Sequence, residues 1–245
     1  MEKMEEEITK EMISYLGCPC QVFPPDAKTE DLMAAYRQAR SEGEKEGFWP
    51  VMVAAEDEIL LETLQMNLKG ETVETYRRRI LEEPVEEGRI YFARMIARWK
   101  ERNQKLYDSF MGEPAEGCYP SWMDEFPGDP ARWNSFGNVD RRMILARIPV
   151  EHPWEIFAYL PFGGWNDCPD TPGLMAAAKH WNQRYGAVPV SMNHDCLEFV
   201  VPSPVRRKDT AMLTVEQFVW CMDLEDISER REHLARYTVW PFWWD

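Results

Sequence analysis

The chain has 245 residues, 44% of them hydrophobic and 13% aromatic, which leaves room for one large domain or two small ones and rules out intrinsic disorder. Its formal net charge of −15, from 43 acidic and 28 basic residues, repels phosphate backbones and so argues against direct nucleic-acid binding. No apolar run approaches the roughly 18 residues of a membrane span, and the acidic opening "MEKMEEEITK" is unlike a secretory leader, so a cytoplasmic location is expected.

Residues 2–16 read as an amphipathic helix, with Ile8, Met12 and Leu16 recurring every fourth position and Gly17 then Pro19 as the stop. A second helix starts near Thr29, where Glu30 and Asp31 favour the positive end of its dipole. Leu32, Tyr36 and Ala39 form its buried stripe, and Gly43 and Gly47 are expected to close it. "FWPVMVAA" (48–55) is strand-like, with Pro50 confined to a strand start or an edge. Helices follow around 57–68, 72–82 and 87–111, the last with Phe92, Ile96, Trp99, Leu106 and Phe110 as a core stripe.

Residues 112–138 lack periodicity but hold Tyr119, Trp122, Phe126, Trp133 and Phe136, so an ordered, aromatic-rich wrapping loop is expected. Beyond it, strand and helix alternate. "RMILARIPV" (142–150) reads as a strand, 153–160 as a short helix or extended crossing, and 172–185 as a helix with Leu174, Ala177, Ala178 and Trp181 inward. "AVPVSM" and "CLEFVV" flank "NHD" as a hairpin with Asn193 and Asp195 as turn residues. Helices near 211–224 and 228–236 lead to a final aromatic strand. The fold class is α+β: a mixed sheet of about five strands flanked by helices, with an N-terminal helix and turn (1–28) ahead of a single domain (29–245).

The stretch from "ILARIPVEHPWEIF" through "FGGWNDCPD" and "RYGAVPVSMNHDCLEFVV" to the "FWWD" ending resembles the bacterial family known as domain of unknown function 4253. The residues that carry the resemblance are Trp165-Asn166 before a helix containing Trp181, the exit Tyr185-Gly186-Ala187, the strand start Asp195-Cys196-Leu197, and Cys221 with Asp223. "GFWPVMV" extends it loosely upstream, over roughly 29–245, with residues 140–245 the most family-like. The family tends to carry Phe-Cys-Pro-Asp where this chain has Trp220-Cys221-Met222-Asp223, and Thr in place of Cys196, which argues against Cys196 as a general catalytic group. The resemblance implies a shared structural role for the aromatic ending, as a strand inserted in the sheet, and implies no activity.

The cysteines are expected as thiols in a cytoplasmic protein. Cys18 and Cys20 form a C-P-C step, but without a second pair at similar spacing neither a metal nor a cofactor is expected, and a turn after the first helix accounts for them. The arginine and lysine runs 77–79 and 206–208 read as solvated faces. Asp167 and Thr171 read as turn and helix-cap residues.

Two functional readings stand. In the first, Trp122, Trp133, Trp165 and Asn166, on irregular segments of an acidic protein, form a binding surface for a basic protein partner. That makes the chain a non-enzymatic interaction module, one concrete form being an immunity-type protein that neutralises a basic toxin. In the second, Cys168 at a Gly-rich helix entrance, His194 and Asp195 form a cysteine- or carboxylate-dependent catalytic site. A small-molecule pocket bringing Cys168 to His194 would favour the second.

Overall fold

A computed structural model describes residues 2–112, 141–224 and 227–245. The segment expected to form the aromatic-rich loop, with Trp122 and Trp133, lies outside the described residues apart from Gly112. The architecture is α+β around a mixed sheet, and that sheet has six strands in the order β1-β3-β2-β4-β5-β6. These are β1 (Cys20–Phe23), β2 (Trp49–Ala54), β3 (Met143–Ile148), β4 (Val188–Met192), β5 (Cys196–Val200) and β6 (Val239–Trp243). β2 and β4 run parallel at the centre, and every other neighbouring pair is antiparallel. The strand beyond the expected five is β1. The residues read as a plain turn after the first helix instead enter the sheet, pairing Cys20 with Ala146.

The helices are α1 (Glu2–Leu16), α2 (Thr29–Glu46), α3 (Glu58–Met66), α4 (Val73–Glu82), α5 (Gly88–Met111), α6 (Thr171–Tyr185), α7 (Arg207–Trp220) and α8 (Ile227–Arg236), with a 3₁₀ turn at Pro153–Ala158. α2 covers one face of the sheet, where Leu32, Met33, Tyr36 and Ala39 meet Met52, Met143 and Leu145. The opposite face packs against the remaining helices through Val51, Val53, Ile144, Ala146 and Ile148. With both faces of β2 buried, its sequence is apolar throughout rather than alternating. Pro50 fits because β2 meets β4 only from Met52 onward, so its missing N–H breaks no bond there.

Three local expectations change in the tertiary setting. Gly43 lies inside α2 and does not end it; a Cβ there would stand 2.2 Å from the Phe48 carbonyl oxygen, so the glycine lets helix and strand approach, and Gly47, left-handed at φ 78°, is the cap. α5 kinks at Asn103 (φ −131°, ψ 33°), whose side chain donates to the Trp99 carbonyl at 2.9 Å. The turn beyond the kink leaves the core stripe, and Leu106 is exposed. Among the basic runs, Arg77 is not on a solvated face: its guanidinium lies 4.0 Å over the Tyr159 ring and its Nη2 donates to the Tyr15 carbonyl at 2.7 Å.

The aromatic ending belongs to the core. Trp181 of α6 stacks on Phe242 at 5.5 Å and 6°, and packs edge-on against Trp220 and Phe199 at 5.0 and 5.6 Å. Trp244 continues the cluster against Trp220 at 5.1 Å. Alternation along β6 sends Phe242 and Trp244 into this core and Trp243 to the other face, where it is 44% exposed. α2 packs on β2 and β3, several strands away, and leaves Trp243 outside the layer it covers.

β6 is an edge strand, and such edges are normally open to further pairing. Here the outward carbonyls of Val239, Pro241 and Trp243 accept from His233 Nε2 at 2.6 Å, Arg230 Nη1 at 3.1 Å and Cys221 Sγ at 3.0 Å. Pro241 has no N–H to leave unpaired. Side chains of α8 and of Cys221, the residue after α7, therefore close the edge. Burial first, and then the Arg230 cation, push His233 down to about 4, against the Val239 hydrogen bond, so the ring is neutral in the fold. The unfolded chain takes up this proton near pH 6.5 and the folded one only near 4, so stability falls as pH drops through that window. Discounted for the partial exposure of the ring, the loss should be about 2 kcal/mol. Urea unfolding at pH 7 and pH 4.5 should show this loss in the native chain and a correspondingly smaller one in His233→Gln, which keeps a donor for Val239. Equal acid sensitivity of the two would refute the assignment.

Candidate functional site

The loop that enters α6, residues 161–170, is built by short backbone bonds. Gly164 N donates to Cys168 O at 3.1 Å and Cys168 N to Trp165 O at 2.9 Å. Asn67 Nδ2 ties the loop to α3 through the carbonyls of Pro161 (2.6 Å) and Gly163 (2.7 Å). The cap of α6 is Asp170, which accepts from Gly173 N at 3.1 Å, rather than Asp167 or Thr171. Thr171 instead hydrogen-bonds the Tyr76 hydroxyl at 2.9 Å.

Within this loop Trp165 is half-buried, its indole N–H on the Phe162 carbonyl at 3.0 Å. Asn166, left-handed at φ 44°, projects to the surface and donates to the Asp245 carbonyl at 2.7 Å. Across the last strand, Trp243 Nε1 donates to Asp195 Oδ2 at 3.1 Å, Trp244 N to the Asp195 carbonyl at 3.0 Å, and Asp245 N to Asp223 Oδ2 at 3.2 Å. β6 thus brings Trp165 and Asn166 together with the hairpin tip of His194 and Asp195. Asn193 forms that tip, its Oδ1 accepting from Asp195 N and Cys196 N at 3.0 and 2.6 Å.

His194 is held by Asp57, a residue the sequence did not single out. Asp57 Oδ2 accepts from both the backbone N and Nδ1 of His194 at 2.9 Å, while Oδ1 caps α3 through Leu60 N. With a carboxylate as acceptor, Nδ1 carries the hydrogen. Nε2 lies 3.6 Å from Asp195. Cys168 is buried elsewhere: burial pushes its thiol up, Cys221 adds to the rise, and the Gly164 backbone opposes it. No contact among the described residues joins Cys168 to His194.

A cleft of about 580 Å³ runs between α5 and α7 past Arg94, Trp99, Asn103 and Met222, and neither Cys168 nor His194 lines it. Among the described residues no three His, Cys, Asp or Glu side chains converge as a metal-ligand set, and no helix is long and apolar enough to cross a membrane. What the arrangement offers chemically is an exposed indole beside carboxylates. Asp195 accepts from the indole N–H, and Asp245, two residues along the chain, is tied through its N–H to Asp223.

Trp243 and Asp223 escaped the sequence reading as surface groups, although strict alternation from a buried Phe242 was enough to turn Trp243 outward. No curated protein and no solved structure matches the chain. Residues 144–245, which carry β3 to β6 and the whole of this surface except Asp57, match the family of the domain of unknown function DUF4253.

Proposed function

We propose that the chain is a non-enzymatic interaction module of the bacterial cytoplasm that docks a basic protein partner on the face around Trp243, in the manner of an immunity-type protein. The observation that carries this reading is Trp243: a 44% exposed indole on an otherwise buried aromatic strand, hydrogen-bonded to Asp195. An exposed indole bonded to the Asp195 carboxylate, with Asp223 and Asp245 at the same strand end, fits the recognition of Arg- and Lys-rich surfaces through cation–π and charge-assisted contacts. The net charge of −15 would speed the approach of such a partner. The catalytic alternative at Cys168, His194 and Asp195 draws no support from a buried, protonated thiol whose neighbour is another cysteine.

Affinity capture from the native cell identifies the partner, and Trp243→Ala then tests the face. Loss of an anchoring indole should weaken binding by about 2 kcal/mol, roughly 30-fold, with the melting temperature nearly unchanged. The association rate of the native chain should fall as salt rises, with dissociation little altered. Binding unaffected by Trp243→Ala, or association indifferent to salt, would refute the reading.

A further inference from the structure

The C-P-C step lies away from the surface just described, between α1 and β1. Gly17, at φ 59°, ends α1 with its N–H on the Ile13 carbonyl at 3.1 Å. Arg147 N donates to the Pro19 carbonyl at 3.0 Å, and Cys20 begins the pairing of β1 with β3. The turn is therefore anchored on both sides while both cysteines stay partly exposed. Cys20 Sγ donates to the Cys18 carbonyl oxygen at 3.3 Å.

Arg77 supplies the second observation. Its guanidinium is held between Tyr159 (4.0 Å) and Tyr15 (5.5 Å), and a Cβ at Gly17 would stand 3.4 Å from Nη1, so the cation lies against the turn. It forms no ion pair among the described residues, and its buried Nε has no acceptor. The charged and titratable groups around it are Cys18, Tyr15, Tyr159 and, along α4, Glu74. Burial keeps both tyrosines neutral. The group that can take up negative charge beside this cation is Cys18.

We propose that the turn is a thiol–disulfide exchange site in which Cys18 is the nucleophile and Cys20 the resolving thiol. The Cys20 hydrogen bond first, then the Arg77 cation and the Arg147 N–H, hold the Cys18 thiol below its ordinary range against the opposing effect of burial. Cys20 is pushed up by the same hydrogen bond and by burial. Burial raises Cys168, Cys221 and Cys196 as well, so among the described cysteines Cys18 is the reactive one.

The co-reactant is a disulfide RSSR of the glutathione class. Cys18 sulfide attacks one sulfur, the S–S bond breaks, RS⁻ leaves, and a Cys18–S–S–R mixed disulfide forms. Cys20 then gives its proton to solvent and attacks the Cys18 sulfur, expelling a second RS⁻. The protein loses two electrons and two protons, and RSSR becomes two RSH. Two residues of extended chain span about 6.6 Å, near the upper limit for a disulfide. The product is therefore reachable but strained, and a reducing thiol pool should reopen it.

The test uses the full chain and oxidised glutathione, read by intact mass and peptide mapping. The native chain should lose the mass of two hydrogens, mapped to Cys18–Cys20. Cys20→Ser should stop at a stable glutathione adduct on Cys18, and Cys18→Ser should leave residue 20 unmodified. Arg77→Met should slow adduct formation on the Cys20→Ser background about tenfold at pH 6, and Arg77→Lys should restore part of it. Adduct spread evenly over the cysteines, or none on Cys18, would overturn the proposal. If Arg77→Met does not fold, the pH profile of Cys20→Ser decides: half-maximal reactivity at or above about pH 8.5, the value of an ordinary thiol, overturns it as well.

Discussion

Deleting residues 241–245 is expected to abolish cooperative folding, and Phe242→Ala alone to cost about 3–5 kcal/mol. Phe242 is 1% exposed and sits at the junction of Trp181, Trp220 and Phe199. The truncation also removes Trp244 from the core and takes away the Pro241 and Trp243 carbonyls. Arg230, pushed down to about 10 by its burial, and the Cys221 thiol would then lose acceptors in an apolar setting. Against a total stability of about 5–15 kcal/mol, these losses exceed what a domain tolerates. Trp243→Ala, at the next residue along β6 but on the opposite face, should change stability by no more than about 0.5 kcal/mol. Denaturant titration of the three variants gives the comparison. A truncated chain that melts like the native one while losing its partner would mean that the aromatics form an exposed docking tail.

Gly163→Ala should be nearly as damaging, for a steric reason. A Cβ at this position would stand 1.8 Å from the Pro169 carbonyl oxygen and 3.0 Å from Cys168 Sγ. The obstacle is backbone, and the Asn67 bonds to Pro161 and Gly163 prevent the loop from moving aside. The cost should reach about 3 kcal/mol, the upper end of overpacking penalties. Gly47→Ala is the control: nothing lies within 4 Å, and its φ of 78° alone sets the penalty, at about 1 kcal/mol. Equal destabilisation by the two would show that the entrance to α6 yields. Because the same loop carries Trp165 and Asn166, Gly163→Ala should also loosen the Asn166–Asp245 bond and weaken partner binding beyond its effect on stability.

Much of the fold was legible because its determinants are local. The four-residue spacing of Ile8, Met12 and Leu16 places α1 as observed, and Leu174, Ala177, Ala178 and Trp181 place α6. Asn193 acts as a turn residue through its own side chain, so the β4–β5 hairpin could be read from "NHD". α7 was expected near residue 211 and begins at Arg207, because Arg207 is fastened to Glu232 of α8, a contact no local pattern carries.

By itself the sequence determined the α+β class, the positions of most helices, and the burial of the aromatic ending, since periodicity and side-chain size act within one element. The tertiary structure alone decided what surrounds each candidate group. Asp57 and His194 are 137 positions apart and meet because α3 starts beside the β4–β5 turn. Cys168 is buried away from His194 because the loop before α6 folds inward on Asn67. Trp243 is exposed because α2 packs on β2 and β3, and Arg77 of α4 lies against Gly17, beside Cys18, because its guanidinium bonds the Tyr15 carbonyl near the end of α1. Each of these depends on which distant segments share a surface, and chemical environment is set by that sharing rather than by neighbours in the chain.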